Sequence, residues 1–227
     1  MRKHLLLITL LTSLFWTAQA QGIRIGDIMC VSGNDTTYVH PDEYVSGALA
    51  VVFYLDESGE HGWAIALRDE PGHPAWSPWG DNVPGLIDYG HPRKKPGVWP
   101  GDDKGAIYDM EGYHNTMVIR QYGSYSDFPA ARTVDFAHGW YLPAIGQLNY
   151  ANLYLTEITE ALEVVGGQTF EPDGARWYWS STEFADPSGS APCAWSHKFS
   201  LNFMCPMTKS RTTEENKLMT VRAVRSF

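Results

Sequence analysis

Few of the side chains able to do chemistry in this 227-residue chain stand at a working spacing. The histidines beyond residue 20 are His40, His61, His73, His91, His114, His138 and His197, and none falls in an HxH or HExxH pattern. They read as scattered surface residues rather than metal ligands. Asp102-Asp103 and Asp109-Met110-Glu111 could offer oxygens to calcium, but they lack the spaced ladder of an EF-hand loop. A solvated loop or a helix N-terminus explains them as well, so no cofactor is expected and calcium is the one ion with candidate donors. There is no GxSxG and no glycine-rich phosphate loop, and Ser180-Ser181 sits in a strand-type run between Trp179 and Thr182. Carboxylate pairs suited to glycoside hydrolysis depend on tertiary spacing, so their abundance decides nothing. Cys30, Cys193 and Cys205 allow one disulfide and one leftover thiol, with the pairing open.

The elements that must position these residues begin with an export signal. Arg2-Lys3-His4 is followed by an apolar run from Leu5 to Trp16 and by Ala18-Gln19-Ala20, a small-x-small cleavage site. The reading is an exported protein, periplasmic, surface-held or secreted, with no membrane insertion after signal cleavage. Formal charge is −9, and loss of Arg2 and Lys3 leaves 15 basic against 26 acidic residues, or −11. Such a surface repels nucleic acid and anionic membranes.

From residue 21 the chain reads as one domain. Ile25–Val31 is a candidate strand, and Ala48–Leu55 with Trp63–Leu67 form a hairpin around the turn cluster Asp56–Glu60. Residues 71–101 hold seven of the fourteen prolines with Trp76, Trp79 and Trp99, an irregular loop whose indoles need surfaces to bury against. Helices are expected over Tyr113–Tyr122 and Phe128–Phe136. Another follows Pro143, where Leu148, Ala151, Leu155, Ile158, Leu162 and Val165 make one apolar stripe closed by Gly166-Gly167. Strands return at Arg176–Thr182, Cys193–Phe199, Phe203–Lys209 and Met219–Phe227. Strands, then helices, then strands is an α+β pattern with antiparallel sheets.

Gly139-Trp140-Tyr141-Leu142-Pro143, Gln147-Leu148, Tyr178-Trp179-Ser180-Ser181-Thr182-Glu183, Ala194-Trp195 and Val221-Arg222-Ala223-Val224-Arg225 follow in an order that resembles the Lcl C-terminal domain family, exported bacterial domains with a C-type-lectin-like fold. Gly112-Tyr113, Asn115-Thr116, Phe128-Pro129-Ala130-Ala131 and the hairpin Val51–Tyr54 with His61–Leu67 are similar to that group too, so the likeness spans almost the whole chain beyond the signal. It implies paired terminal strands (here Gly26–Val31 with Thr220–Ser226), two or three helices packed on sheet, and long irregular loops. It also implies that Trp140, Trp177, Trp179 and Trp195 are core, and that Arg222 and Arg225 tie the last strand to the body. Glu171-Pro172-Asp173 is similar to the sugar-selecting triplets of calcium-dependent lectins. It stands before Trp177-Tyr178-Trp179 rather than after it, however, and reads as a tight turn.

The resemblance implies a non-catalytic recognition or adhesion module for a glycan or for an envelope or host protein. Its variable stretch corresponds to Ser196–Thr220. A turn at Ser200-Leu201-Asn202 would pair His197 with Cys205 and Cys193 with Lys209, which disfavours a Cys193–Cys205 bridge. Alternation then displays Ser196, Lys198, Phe203, Cys205, Met207 and Lys209 as the candidate binding residues, with adaptable methionine suiting such a surface. The alternatives are packing of the apolar members under the 71–101 loop, a structural subunit of a surface assembly such as a fimbrial tip, and a formylglycine-generating-like oxidase or a hydrolase. The oxidases' short cysteine spacing is absent from Cys193 and Cys205.

Overall fold

A computed structural model describes residues 22–78, 80, 82–92, 105–124, 126–170, 175–184, 190–210, 213–214 and 217–227. The export signal, Trp79, Trp99, Asp102-Asp103 and the Glu171–Asp173 triplet lie outside the described residues. The chain is mixed α and β. Strands β1 (Ile28–Ser32), β2 (Asp35–Val39), β3 (Ala48–Leu55) and β4 (Gly62–Ala66) precede helices α1 (Gly112–Tyr122) and α2 (Pro129–Thr133). After β5 (Trp140–Tyr141) come α3 (Ile145–Leu153) and α4 (Leu155–Val164). The chain ends with β6 (Arg176–Phe184), β7 (Cys193–Lys198), β8 (Phe203–Thr208), β9 (Thr213–Glu214), β10 (Lys217–Thr220) and β11 (Val224–Ser226).

One sheet has the order β2-β1-β3-β4-β11-β5 and the other β8-β7-β6-β10-β9. All neighbours are antiparallel except β10 on β6. The β3–β4 hairpin forms where its apolar runs predict it. The Asp56 carboxylate closes the turn by accepting the Ser58 and Gly59 amides at 3.0 and 3.1 Å. At Gly62 a Cβ would lie 2.0 Å from the Tyr54 carbonyl oxygen, so only glycine lets the strands approach this closely.

The terminal strands do not pair, contrary to expectation. β2, which the sequence reading missed, turns straight back on β1, and β3 takes the other edge of β1 through Ile28 opposite Val51. β1 therefore has no edge left, and β11 inserts between β4 and β5 instead. The long helix is also corrected. Tyr154 (φ −114°, ψ 29°) breaks it into α3 and α4, with the apolar stripe continuing across: Leu148, Ala151, Ile158 and Leu162 are buried. The Phe128–Phe136 helix shortens to α2, because Val134 is extended before a 3-10 turn at Phe136–His138.

Two cores result. Ile28, Val51, Phe53 and Ile65 meet Leu148, Ile158 and Leu162, together with Tyr178, Trp195 and Phe199 from one face of the second sheet. The opposite face of that sheet (Trp177, Trp179, Met207, Met219) packs on Trp76, Val83, Ile119 and Phe128. Trp177, Trp179 and Trp195 are core as expected, and Trp140 is partly buried.

Candidate functional site

The β7–β8 hairpin exists, but its register is one residue from the expected one. The turn takes in Phe199 as well, a 3-10 turn over Phe199–Leu201 closed by Asn202 in the left-handed region (φ 46°). Lys198 therefore faces Phe203, Ser196 faces Cys205, Ala194 faces Met207, and His197 faces Met204. Cys193 lies opposite Thr208, so Cys193 and Cys205 are several rungs apart, and no disulfide joins any two of the three cysteines.

Facing pairs share a side of the sheet, so Lys198, Phe203, Ser196, Cys205 and Met207 do lie on one face. What differs from expectation is its cover. Ser196 is buried, its hydroxyl donating to the Cys205 carbonyl at 2.8 Å. Met207 is buried in the cluster holding Trp76 and Val83, so the proline-rich loop covers it, while Cys205 is half-buried against the same cluster. Lys209 is fully buried, paired with Glu183 and 4.6 Å from the Trp76 ring centroid. Ser196, Met207 and Lys209 are thus corrected from displayed to buried. Lys198 and Phe203 stay at the surface, stacked in sequence on one indole: Lys198 Nζ lies 5.4 Å from the Trp177 ring, and Phe203 meets that ring edge-on at 6.2 Å.

The open part of the hairpin is its tip. Leu201 is 65% exposed and Phe203 50%, and Leu153, left at the end of α3 by the break at Tyr154, is 61% exposed. Leu153 and Phe203 share a depression of about 260 Å³ with Asn149, Asn202 and Met204. A larger groove of about 560 Å³ runs between α4 and the same turn, with Phe199 and Ser200 on one wall and Thr156, Glu160 and Glu163 on the other.

Two buried polar features escaped the sequence reading. Glu183 accepts the Val83 amide at 3.2 and 3.1 Å beside the Lys209 ammonium. Burial pushes its carboxyl up to about 7, against the opposing pull of Lys209. A raised carboxyl is what a general acid needs, but this one is shut from solvent. It seats the loop: the Lys209 carbonyl accepts the Trp76 and Ser77 amides at 2.9 and 3.1 Å. The other feature is His197, 0% exposed, with no hydrogen-bond partner on either ring nitrogen and its ring 4.8 Å from Phe199. Burial alone drives its pKa down to about 3. His197 and His91 are buried, correcting the expectation of surface histidines. Alternation with Trp195 and Phe199 was the available signal for His197.

Asp109 spends its carboxylate internally, accepting from Glu111 N at 3.0 Å, Asn115 Nδ2 at 2.9 Å and Thr182 Oγ1 at 2.7 Å. Among the described residues no three His, Cys, Asp or Glu side chains are grouped to hold a metal ion. No helix there is long and apolar enough to cross a membrane. Comparison of the chain with protein-family models and with curated proteins finds no match.

Proposed function

We propose that the chain is an exported, non-catalytic recognition module of C-type-lectin-like build, binding a glycan or a protein of the envelope or host at the tip of the β7–β8 hairpin. The observation that carries the reading is a depression lined by exposed Leu153 and Phe203 together with Asn149 and Asn202, with Leu201 exposed next to Asn202 in the hairpin turn. Apolar side chains with amides beside them suit recognition, since the apolar part supplies affinity and the amides orientation. The rigid backing of Trp177 under Phe203 and Lys198 keeps the ordering cost of such a surface low. The ordered motifs from Gly139 to Arg225 support the build, and Arg2–Ala20 supports export.

The test is an array of glycans and envelope proteins probed with and without calcium, beside a Leu201→Ser/Phe203→Ser variant. Binding by the wild type and a loss of about thirtyfold or more in the variant is the expected result, the size given by truncating an interface anchor. Full binding by the folded variant would remove the tip from the reading. Silence across both arrays would favour the structural-subunit alternative.

A further inference from the structure

His197 is a buried titratable side chain that the tip surface does not use, and its surroundings are uneven. The imidazole is fully buried, with no hydrogen-bond partner on either nitrogen. Across the sheet His197 faces Tyr178 on β6 and Met204 on β8, and its ring lies 4.8 Å from that of Phe199. Phe199 is also a wall of the groove of about 560 Å³ beside α4, and the half-buried Met204 a wall of the tip depression of about 260 Å³. On these two sides a single side chain stands between the imidazole and open solvent. Both side chains belong to the segment Phe199–Met204 that closes the hairpin.

The two ends of the hairpin are held differently. At the far end Lys209 pairs with Glu183, its carbonyl accepts the Trp76 and Ser77 amides, and Trp76 Nε1 donates to the Ser180 carbonyl at 2.8 Å. The turn is closed by Asn202 N donating to the Phe199 carbonyl at 3.1 Å. Asn202 is the one non-glycine residue of positive φ among the described residues, and the Ser200 hydroxyl is buried without a partner. A left-handed backbone and an unpaired hydroxyl both favour an opened turn.

The groups around His197 do little to hold a proton on it. From β6 comes the Tyr178 hydroxyl, kept neutral by burial and by Asp69 beyond it, against the pull of Arg222 and Arg176. β8 presents Met204, and Phe170 after α4 stacks on Phe199. α3 carries no charged residue, and its Tyr150 packs on Tyr54 and Trp63. Glu160 and Glu163 of α4 lie beyond Phe199, on the other wall of the groove. We infer that His197 is an acid-sensitive latch on the hairpin tip: its imidazole accepts a proton only outside the core, so mild acid lifts the Phe199–Met204 turn while the Glu183–Lys209 end stays closed. The tip depression, which needs Asn202, Phe203 and Met204 in place, is dismantled with it. The functional consequence, loss of a bound ligand in acid, rests on the recognition reading above, whereas the latch itself does not.

The experiment is amide hydrogen exchange of the purified protein at pH 7 and pH 5, for wild type, His197→Leu and His197→Phe, with protection taken relative to the intrinsic rate at each pH. An opened turn presents an imidazole of ordinary pKa, 6.5. Proton uptake by such a group should lower wild-type protection over residues 198–205 by about 25-fold between the two pH values. The β3–β4 amides should keep theirs, and Glu183 adds no opposing effect because the turn opens without exposing it. Both variants should lose the pH dependence at the turn, and their β3–β4 protection at pH 7 shows that they are folded. Wild-type protection that holds at pH 5, or that falls equally in β3–β4, would overturn the latch, as would the same fall at the turn of a folded variant. The wild-type comparison between sheets needs no variant and no ligand, so the latch and the binding tip fail or succeed independently.

Discussion

His197 has no partner for either ring nitrogen, so its protonation is opposed by the whole of its desolvation. Its pKa is about 3 in the folded chain against 6.5 for a free imidazole. Above pH 6.5 both states are neutral there and the group is silent. As pH falls below that value the unfolded chain takes up a proton that the folded chain refuses. From this group, stability then drops by about 1.4 kcal/mol per pH unit until the folded pKa is reached. The buried Glu183 carboxyl, pushed up to about 7, contributes a slope of opposite sign over the same window, so the His197 contribution is read as the difference between wild type and His197→Leu in urea titrations between pH 7 and 4. That difference should be about one proton, and equal slopes in the two proteins would refute the assignment. Lys209 and Glu183 are a pair of a different kind, since each needs the other. Lys209→Met should cost about 3–5 kcal/mol by leaving Glu183 buried without its cation. Lys209→Met/Glu183→Gln should recover a good part of that, and no recovery would mean that lost packing on Trp76 dominates. The burial of His197 runs against the expectation of a surface histidine, although its place between Trp195 and Phe199 at the strand period carried the signal. The burial of Lys209 was not legible, because period-two alternation describes a strand and is blind to the loop that crosses over it.

At the scale of elements, local patterns located β3, β4, β6, β7 and β8 within two residues, whereas the expected Met219–Phe227 strand divides into β10 and β11 of different sheets and β2, β5 and β9 were not expected. The Ala48–Leu55 strand has the bounds its apolar run indicates, and the Asp56–Glu60 turn closes as its side chains dictate. The break at Tyr154 was illegible for a plain reason: neither proline nor glycine marks it, and the 3-4 spacing of the apolar stripe survives it. That break matters to the candidate site, because it leaves Leu153 exposed at the end of α3. The end of α4 is set by Gly166 at φ +65°, with the Gly167 amide reaching the Leu162 carbonyl at 2.7 Å and the Gly166 amide reaching Glu163 at 3.3 Å. This is a Schellman closure, in which a left-handed residue satisfies the last carbonyls. No atom stands within 4 Å of a Cβ built on Gly166, so the penalty of a side chain there is purely conformational. Gly166→Ala should therefore cost about 1 kcal/mol, and Gly166→Asn less. Denaturant midpoints of the two variants check the order, and equal midpoints would place the helix end elsewhere.

For the whole molecule the decisive segment is Val221–Ala223, which carries the chain from β10 in one sheet to β11 in the other. Arg222 lies between them with its side chain fully buried. Nε donates to Asp69 Oδ1 at 2.5 Å, and Nη1 donates to the carbonyls of Ala66 and Gln168 at 3.1 and 3.0 Å. Its guanidinium carbon is 4.6 Å from the Phe170 centroid, and Asp69 also holds Arg176 at the start of β6. One planar cation therefore joins the end of β4, the segment after α4 and the first strand of the second sheet. Sequence alone shows that an arginine in a buried strand needs a carboxylate or carbonyls, but not which ones, since Asp69 is 153 residues away. The same distance hides the strand order, and so the terminal strands came out two strands apart rather than paired. If Arg222 couples the sheets, Arg222→Met should cost about 3–5 kcal/mol, as removal of one partner from a buried pair does. Arg222→Lys should restore little of it, because an ammonium lacks the fork that reaches three acceptors. Tryptophan fluorescence reports mainly the second sheet and far-ultraviolet circular dichroism the whole chain. In the wild type their urea transitions should coincide, as two-state unfolding requires. In Arg222→Met the fluorescence transition should move first, since the coupling to the first sheet is what has been removed. Coincident transitions shifted by less than about 1 kcal/mol would show that apolar contacts alone hold the two sheets together.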